Sequence, residues 1–200
     1  MDVRDTNEKI LQKMPGREII YHSADTIEDE GDGVPQDIPQ EFLRSLDLPS
    51  LPLSELKMKY GCPLILLQNL DPANGLCNRT RMILLQAYRR ILEVLIIGGD
   101  HHGKKAFIPR IILKPSSCQY PFTLRRRQFP VRLSFAMTIN KAEGQSLKHV
   151  GIHLISPVFC HGQLYVALSR ATSCKQVHIL LPDRSNTKTP NVVYPEVLLD

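Results

Sequence analysis

The stretch from Phe129 to Leu181 constrains the fold most, because the apolar runs VRLSFAMTI, VGIHLI and QVHILLP alternate with helix-like segments at Asn140–Leu147 and Cys160–Ala171. Strand, helix, strand, helix, strand is the pattern of a parallel sheet with helical crossovers, and runs this apolar predict strands buried on both faces. Between Leu53 and Leu113 the texture differs. Short apolar runs (PLILLQN, RMILLQAY, ILEVLII, AFIPRII) are separated by turn signals at Asp71–Gly75 and Gly98–Asp100, a spacing that predicts a compact antiparallel β-barrel. Upstream, a short helix is expected around Asn7–Met14 and an acidic, Gly- and Pro-bearing loop over Glu28–Gln40. One or two helical turns over Pro39–Leu46 should stop at Pro49 and Pro52. Residues Asp183–Asp200 read as a loose tail.

Charge is unevenly spread along the 200 residues, whose formal net charge is +5. Residues 101–150 hold ten Lys and Arg against one acidic side chain, Glu143, whereas the first fifty hold five basic and twelve acidic. Such asymmetry fits contact with a polyanion and equally a solvated basic face. Five widely spaced cysteines with no C-x-x-C pair fit a reducing intracellular compartment. No run reaches the roughly 18 apolar residues of a membrane helix, and MDVRDTNEKI has no signal-peptide features, so a soluble, non-secreted protein is expected. His101, His102, Cys160 and His161 lack a second ligand pair at zinc spacing, and no metal site is expected.

Four segments bear on chemistry. Gly98–Lys104 satisfies G-x-x-x-x-G-K, but Lys105 stands where a magnesium-binding hydroxyl belongs, and the following AFIPRII is a strand rather than a helix. A hairpin turn is the expected structure, not a phosphate-binding loop. In Phe135–Ser146 a strand should end in Thr138, Asn140 and Lys141, whose hydroxyl, amide and ammonium suit backbone phosphates, with Gly144 allowing close approach. The bland alternative there is a strand-to-helix turn with an exposed lysine. In Gly162–Ala171, Leu164, Val166 and Leu168 pack while Arg170 falls near the helix end, where an arginine can neutralise charge on a transferred phosphoryl group or simply face solvent. Lastly Arg125, Arg126 and Arg127, with Arg132 and the rings of Tyr120, Phe122 and Phe129, suit single-stranded nucleic acid. In a strand, alternate arginines face opposite sides, so not all three can touch one ligand.

Together these strings resemble the Pif-type DNA helicases: FAMTINKAEGQSL their fifth motif and GQLYVALSRATS their sixth, in the right order. The likeness also covers EFLRSLDLPSLPLSELKMKYGCPLILLQNLDPANGLCNRTRMIL, FIPRI and RRRQFPVRL, extends from about Thr6 to Leu181, and looks closest to the helicases of Helitron transposons. The resemblance implies an α/β fold: a partial second RecA-like motor lobe with an inserted Src-homology-three-like β-barrel. Its division would be 1–52 for the start of the lobe and an acidic linker, 53–127 for the insert, 128–182 for the rest of the lobe, and 183–200 for the tail. It implies Arg170 as arginine finger. Thr138, Asn140 and Lys141 would contact DNA phosphates, joined by Arg125 and Arg127 of the basic run read above, and Glu143, Gly144, Gln145 and Gln163 would lie toward the nucleotide, with Gln163 and Tyr165 supporting the sixth motif. ATP and Mg²⁺ are the implied cofactors. Single-stranded DNA and a first RecA-like lobe are the implied partners, and a nuclear address is implied before a mitochondrial one.

The sequence also departs from the family pattern. Ala142 and Glu143 replace the usual Ser-Gln, Gln68 replaces the arginine of R-N-L-D-P, and Arg79 replaces the glycine of C-N-G-T-R. If that glycine takes a positive φ, Arg79 carries strain. No counterpart of the phosphate-binding loop is found, so the chain alone is expected to be inactive as an ATPase. The alternative is a non-catalytic nucleic-acid-binding remnant of a transposon helicase.

Overall fold

The computed structural model describes residues 3–28, 38–48, 50–116, 120–183 and 187–198. Most of the expected acidic loop (29–37), together with Pro49 and Cys118, lies outside the described residues. The chain divides into two compact units, one of Arg4–Ala136 and one built from Met137–Asp200.

In the larger unit, helix α1 (Val3–Lys13) buries Asn7 and Leu11, and its last turn is capped by Lys59, which donates to the Met14 carbonyl at 2.7 Å. Cations at helix C-termini satisfy orphan carbonyls in this way. Strands β1 (Ile19–His22) and β2 (Ala24–Glu28), helix α2 (Gln40–Ser45), and strands β3 (Glu55–Met58), β4 (Pro63–Leu66), β5 (Arg81–Ala87), β6 (Ile91–Ile96), β7 (Lys105–Pro109), β8 (Ile111–Leu113), β9 (Thr123–Gln128) and β10 (Val131–Leu133) follow.

These strands form an antiparallel five-stranded sheet in the order β10-β4-β5-β6-β7, a three-stranded sheet β2-β9-β8, and the pair β1-β3. No closed barrel forms among the described residues: β7 pairs only with β6, and β10 only with β4. One face of the five-stranded sheet carries Leu64, Leu66, Met82, Leu84, Leu92, Val94, Ile96 and Ile108, which pack with Phe129 and Val131 into the main core. Period-two burial of this kind is what an antiparallel sheet with one wet face requires. Burial pushes the Cys62 thiol in this core up to about 11, so it stays protonated and inert at neutral pH. A second core under the three-stranded sheet gathers Leu43, Leu46, Leu48, Leu51, Leu113, Phe122 and Leu124.

Gly98–Lys104 is the β6–β7 hairpin connection. Gly103 N donates to Ile96 O and Ile96 N to Lys104 O, each at 2.9 Å, which leaves no helix N-terminus to hold phosphate. Arg79 has φ 70°, the one non-glycine residue with positive φ among the described residues. Its amide donates to Leu66 O at 2.9 Å, so the turn is held in that conformation by the β4 strand end. Left-handed backbone costs a side-chain-bearing residue roughly 1–2 kcal/mol. Arg79→Gly is therefore expected to stabilise the chain by about 1 kcal/mol after the glycine's extra unfolded-state entropy, visible as a higher urea midpoint. An unchanged or lower midpoint would show that the conformation is unstrained.

The smaller unit contains α3 (Ile139–Ala142), β11 (Val150–His153), α4 (Gln163–Leu168) and β12 (Val177–Leu180), with β11 and β12 parallel. The expected strand VRLSFAMTI is shorter than its composition suggests. It ends at Leu133, antiparallel to β4, and belongs to the larger unit. Beyond it, Asn7 takes both backbone groups of Ala136: its amide nitrogen donates to Ala136 O, and Ala136 N donates to its carbonyl oxygen, each at 2.9 Å. A side chain thus replaces a strand neighbour, and the chain bends instead of extending. Burial on both faces is also absent: Ile179 and Leu180 on β12 are exposed, since among the described residues each strand of this pair is a sheet edge. Ile152, Leu154, Val158 and Ala167 form its core. The tail is partly tied to this unit, because Tyr194 N donates to His161 Nδ1 at 3.0 Å and the two rings stack.

Candidate nucleic-acid interface

Thr138 is the N-cap of α3, its hydroxyl oxygen accepting from Lys141 N at 3.4 Å. Short polar side chains at this position relieve an orphan amide, and the hydroxyl hydrogen remains available to an acceptor such as a phosphate oxygen. Thr138 and Asn140 are exposed and Lys141 is half-buried. These three therefore cluster at a helix start, not at a strand end as the sequence suggested. Glu143 is the exposed C-cap. Gly144 has φ +76° with open space where a Cβ would stand, so the backbone there can be approached closely.

Arg170 joins the two motif strings. From the end of α4 its Nη1 donates to Ala142 O at 3.3 Å and Gln145 O at 3.1 Å, while Nε donates to Val166 O at 2.8 Å and Nη2 to Ser169 Oγ at 2.9 Å. The backbones meet as well: Leu147 N donates to Arg170 O at 2.8 Å, and Leu147 and Ala171 make a parallel bridge. A planar guanidinium is suited to spanning carbonyls in this way. Gln145 donates to Lys141 O at 3.2 Å, but its Oε1 is buried with no hydrogen-bond partner among the described residues. Gln163 instead accepts from Phe159 N at 3.0 Å. Tyr165 is 73% exposed, so within this unit its ring props nothing.

The basic run divides as strand alternation requires. On β9, Arg126 is 0% exposed, whereas Arg125 is half-buried and Arg127 exposed. Arg126 donates to both carboxylate oxygens of Asp25 at 2.9–3.2 Å and to the carbonyls of Leu43, Leu46 and Pro52. Arg132 likewise turns to the chain after α2, reaching Asp47 and the carbonyls of Leu48 and Leu51. Two of the four arginines are thus internal braces. Arg125 has a buried Nε with no hydrogen-bond partner among the described residues, and its charge helps to push down the pKa of Glu28 after the larger effect of the Lys114 hydrogen bond. Burial and the neighbouring Arg127 charge push down the pKa of Arg110, whose guanidinium donates to His22 O and lies 6.0 Å from the Phe129 ring centroid. Arg110 and Arg127 thus lie near one another in the larger unit. Within the smaller unit the structure brings together Thr138, Asn140, Lys141, Glu143, Gly144, Gln145 and Arg170. Among the described residues no group of three His, Cys, Asp or Glu side chains is placed to hold a metal ion, and no helix is long and apolar enough to cross a membrane.

Sequence reasoning missed Asn7 and the bracing roles of Arg126 and Arg132. Asn7 had a signal: it stands four residues from Val3 and Leu11 on the stripe of α1 that should be apolar.

Comparison with known proteins points to one family. The family model "DNA helicase Pif1, 2B domain" matches residues 41–86. The rat ATP-dependent DNA helicase PIF1 is 33% identical over 182 residues, covering 90% of this chain and 26% of the relative. Among solved structures, the Pif1 helicase of Candida albicans superposes with a TM-score of 0.66 at 22% identity, covering 94% of this chain and 45% of that one. The Bacteroides Pif1 helicase in complex with ADP-AlF3 and single-stranded DNA superposes with a TM-score of 0.64 at 23% identity, covering 98% and 41%. The chain spans about a quarter of the length of the curated relatives it matches.

Proposed function

We propose a function from the premise that the chain belongs with the Pif-type helicases, whose C-terminal part it matches. It is a portion of an ATP-dependent 5′-to-3′ DNA helicase that supplies single-stranded DNA contacts and an arginine finger, the phosphate-binding loop coming from a first RecA-like lobe. One observation carries this reading: Arg170 seats the sixth-motif helix on the carbonyls of the fifth-motif turn. A motor cleft needs that coupling, because DNA contacts and nucleotide sensing must move as one piece.

Thr138, Asn140 and Lys141 are read as phosphate contacts, with Arg125 and Arg127 as a second basic contact. Toward ATP, the residues present fit a hydrogen-bond donor better than a phosphate oxygen. The buried Gln145 Oε1 is an acceptor without a donor, and a ribose hydroxyl or adenine amino group satisfies it. Gly144 leaves room beside it, and Glu143 and Gln163 complete the proposed wall. When bound, ATP supplies the phosphoryl group and Mg²⁺ the neutralising charge. The same reading assigns the ion to the first lobe. Residues 53–127 are read as the inserted Src-homology-three-like domain, with 1–52 and 128–182 as lobe and 183–200 as tail; the 2B family match at 41–86 overlaps the first part of that insert and begins ahead of it. On this reading the site of action is the nucleus before the mitochondrion.

DNA-stimulated ATP hydrolysis tests the proposal. The 200 residues alone should show no turnover but retain salt-sensitive affinity for single strands, and fusion behind the first lobe of a Pif1 relative should restore DNA-stimulated turnover. Turnover by the chain alone that Lys104→Ala abolishes would overturn the reading.

A further inference from the structure

We propose that the tip of the β5–β6 hairpin, with Phe107 beside it, is a stacking platform for the bases of a single-stranded polynucleotide, separate from the motif turns and from β9. Tyr88, Arg89, Arg90, Ile91 and Phe107 line one shallow, open depression. Tyr88 is 55% exposed, Ile91 42% and Phe107 61%. A single exposed ring calls for no explanation, but two rings and an isoleucine around one hollow mark a surface that covers something.

The setting favours a nucleic acid. Arg89 and Arg90 are exposed, and no hydrogen bond or ion pair engages either guanidinium among the described residues. Arg110 N donates to Arg90 O at 3.1 Å, and the Arg110 charge lies near that of Arg127. Arg89 and Arg90 thus place two positive charges at the rim of the hollow, as a phosphate backbone requires when its bases stack on neighbouring rings. The tip is also held in place: Tyr88 N donates to Ile91 O at 2.9 Å, and the Tyr21 hydroxyl donates to Tyr88 O at 2.8 Å. With the backbone under Tyr88 fixed, only side-chain freedom is lost when its ring stacks. A strand of another protein is the poorer occupant, because β7, the sheet edge here, carries Lys105 at one end and Pro109 at the other, both of which discourage edge pairing.

The test uses the whole 200-residue chain with two labelled probes at low ionic strength, an oligothymidylate and an abasic oligomer of equal length. Tyr88→Ala with Phe107→Ala should weaken oligothymidylate binding about tenfold or more and leave the abasic oligomer unaffected. Arg89→Ala with Arg90→Ala should weaken both and flatten the salt dependence. Tyr88→Trp should keep full affinity, its indole fluorescence quenched by oligothymidylate and not by the abasic oligomer. That readout holds even if the double alanine variant fails to fold. Undiminished oligothymidylate binding by the aromatic variant, equal loss on both probes, or unquenched fluorescence of the Tyr88→Trp variant overturns the platform. Loss confined to Lys141→Ala and Arg127→Ala overturns it too, while leaving the helicase reading intact. If the unaltered chain binds neither probe, both fall.

Discussion

Arg126→Ala is expected to lower the unfolding free energy of the chain by about 3–5 kcal/mol, the usual cost of breaking a buried ion pair from one side. The guanidinium and the Asp25 carboxylate both have fully buried side chains, and three backbone carbonyls depend on the same group. Removing it strands one buried charge and takes a donor from Leu43 O, Leu46 O and Pro52 O, of which Leu43 O keeps the Leu46 amide; a buried acceptor left unmet costs about 1–3 kcal/mol, which puts the loss at the upper end of the ion-pair range. The segment 43–52 would lose its tie to β9, and Leu43, Leu46, Leu48 and Leu51 belong to the second core. Arg126→Met with Asp25→Leu should recover only part of the loss, because an apolar pair removes the charge problem but not the carbonyl problem. Arg125→Ala and Arg127→Ala should stay within about 0.5 kcal/mol of the parent while weakening DNA binding. Urea titration separates the cases. A midpoint for Arg126→Ala matching that of Arg127→Ala would mean that Arg126 is no brace.

This division was half legible. Strand periodicity alone says that Arg126 and its two neighbours face opposite ways, but not which face is buried. That depends on Asp25, whose pairing with Arg126 through the β2–β9 register joins residues far apart in sequence. The hairpin at Gly98–Lys104 could be read locally, because Lys105 and Pro109 each contradict a phosphate-binding helix. The strand expected to end in the fifth motif could not. Its apolar run is real, yet pairing with β4 ends at Leu133, and the amide side chain of Asn7 sets the bend beyond it. A buried strand and a buried turn share one composition, and only the identity of the hydrogen-bond partner distinguishes them. The barrel expectation failed for a related reason. Short apolar runs with turn signals establish antiparallel neighbours, while closure depends on whether the first and last strands find each other. Strain at Arg79 was foreseeable because a turn that favours glycine states its φ requirement in the sequence.

Arg170→Ala, placed in a helicase with both lobes, is expected to reduce DNA-stimulated ATP hydrolysis by about a thousandfold, the lower end of what an arginine finger contributes. The structure complicates the meaning of that loss. In this chain the guanidinium is engaged by Val166 O, Ala142 O, Gln145 O and Ser169 Oγ, so it already holds the fifth-motif turn in place. A finger must turn at least part of this fork toward the γ-phosphate, whereas a brace must keep it where it is. The two roles separate by readout. Loss of the brace loosens Thr138–Gln145, raises hydrogen exchange at the Leu147 amide bound to Arg170 O, and weakens single-stranded DNA binding in proportion to the fall in turnover. Loss of the finger instead abolishes tight binding of an ADP–aluminium fluoride transition-state mimic while DNA affinity falls far less than turnover. The expected result is the second pattern with faster exchange at Leu147. A drop in DNA affinity as large as the drop in hydrolysis would make Arg170 a positioning residue and leave the finger to be found elsewhere.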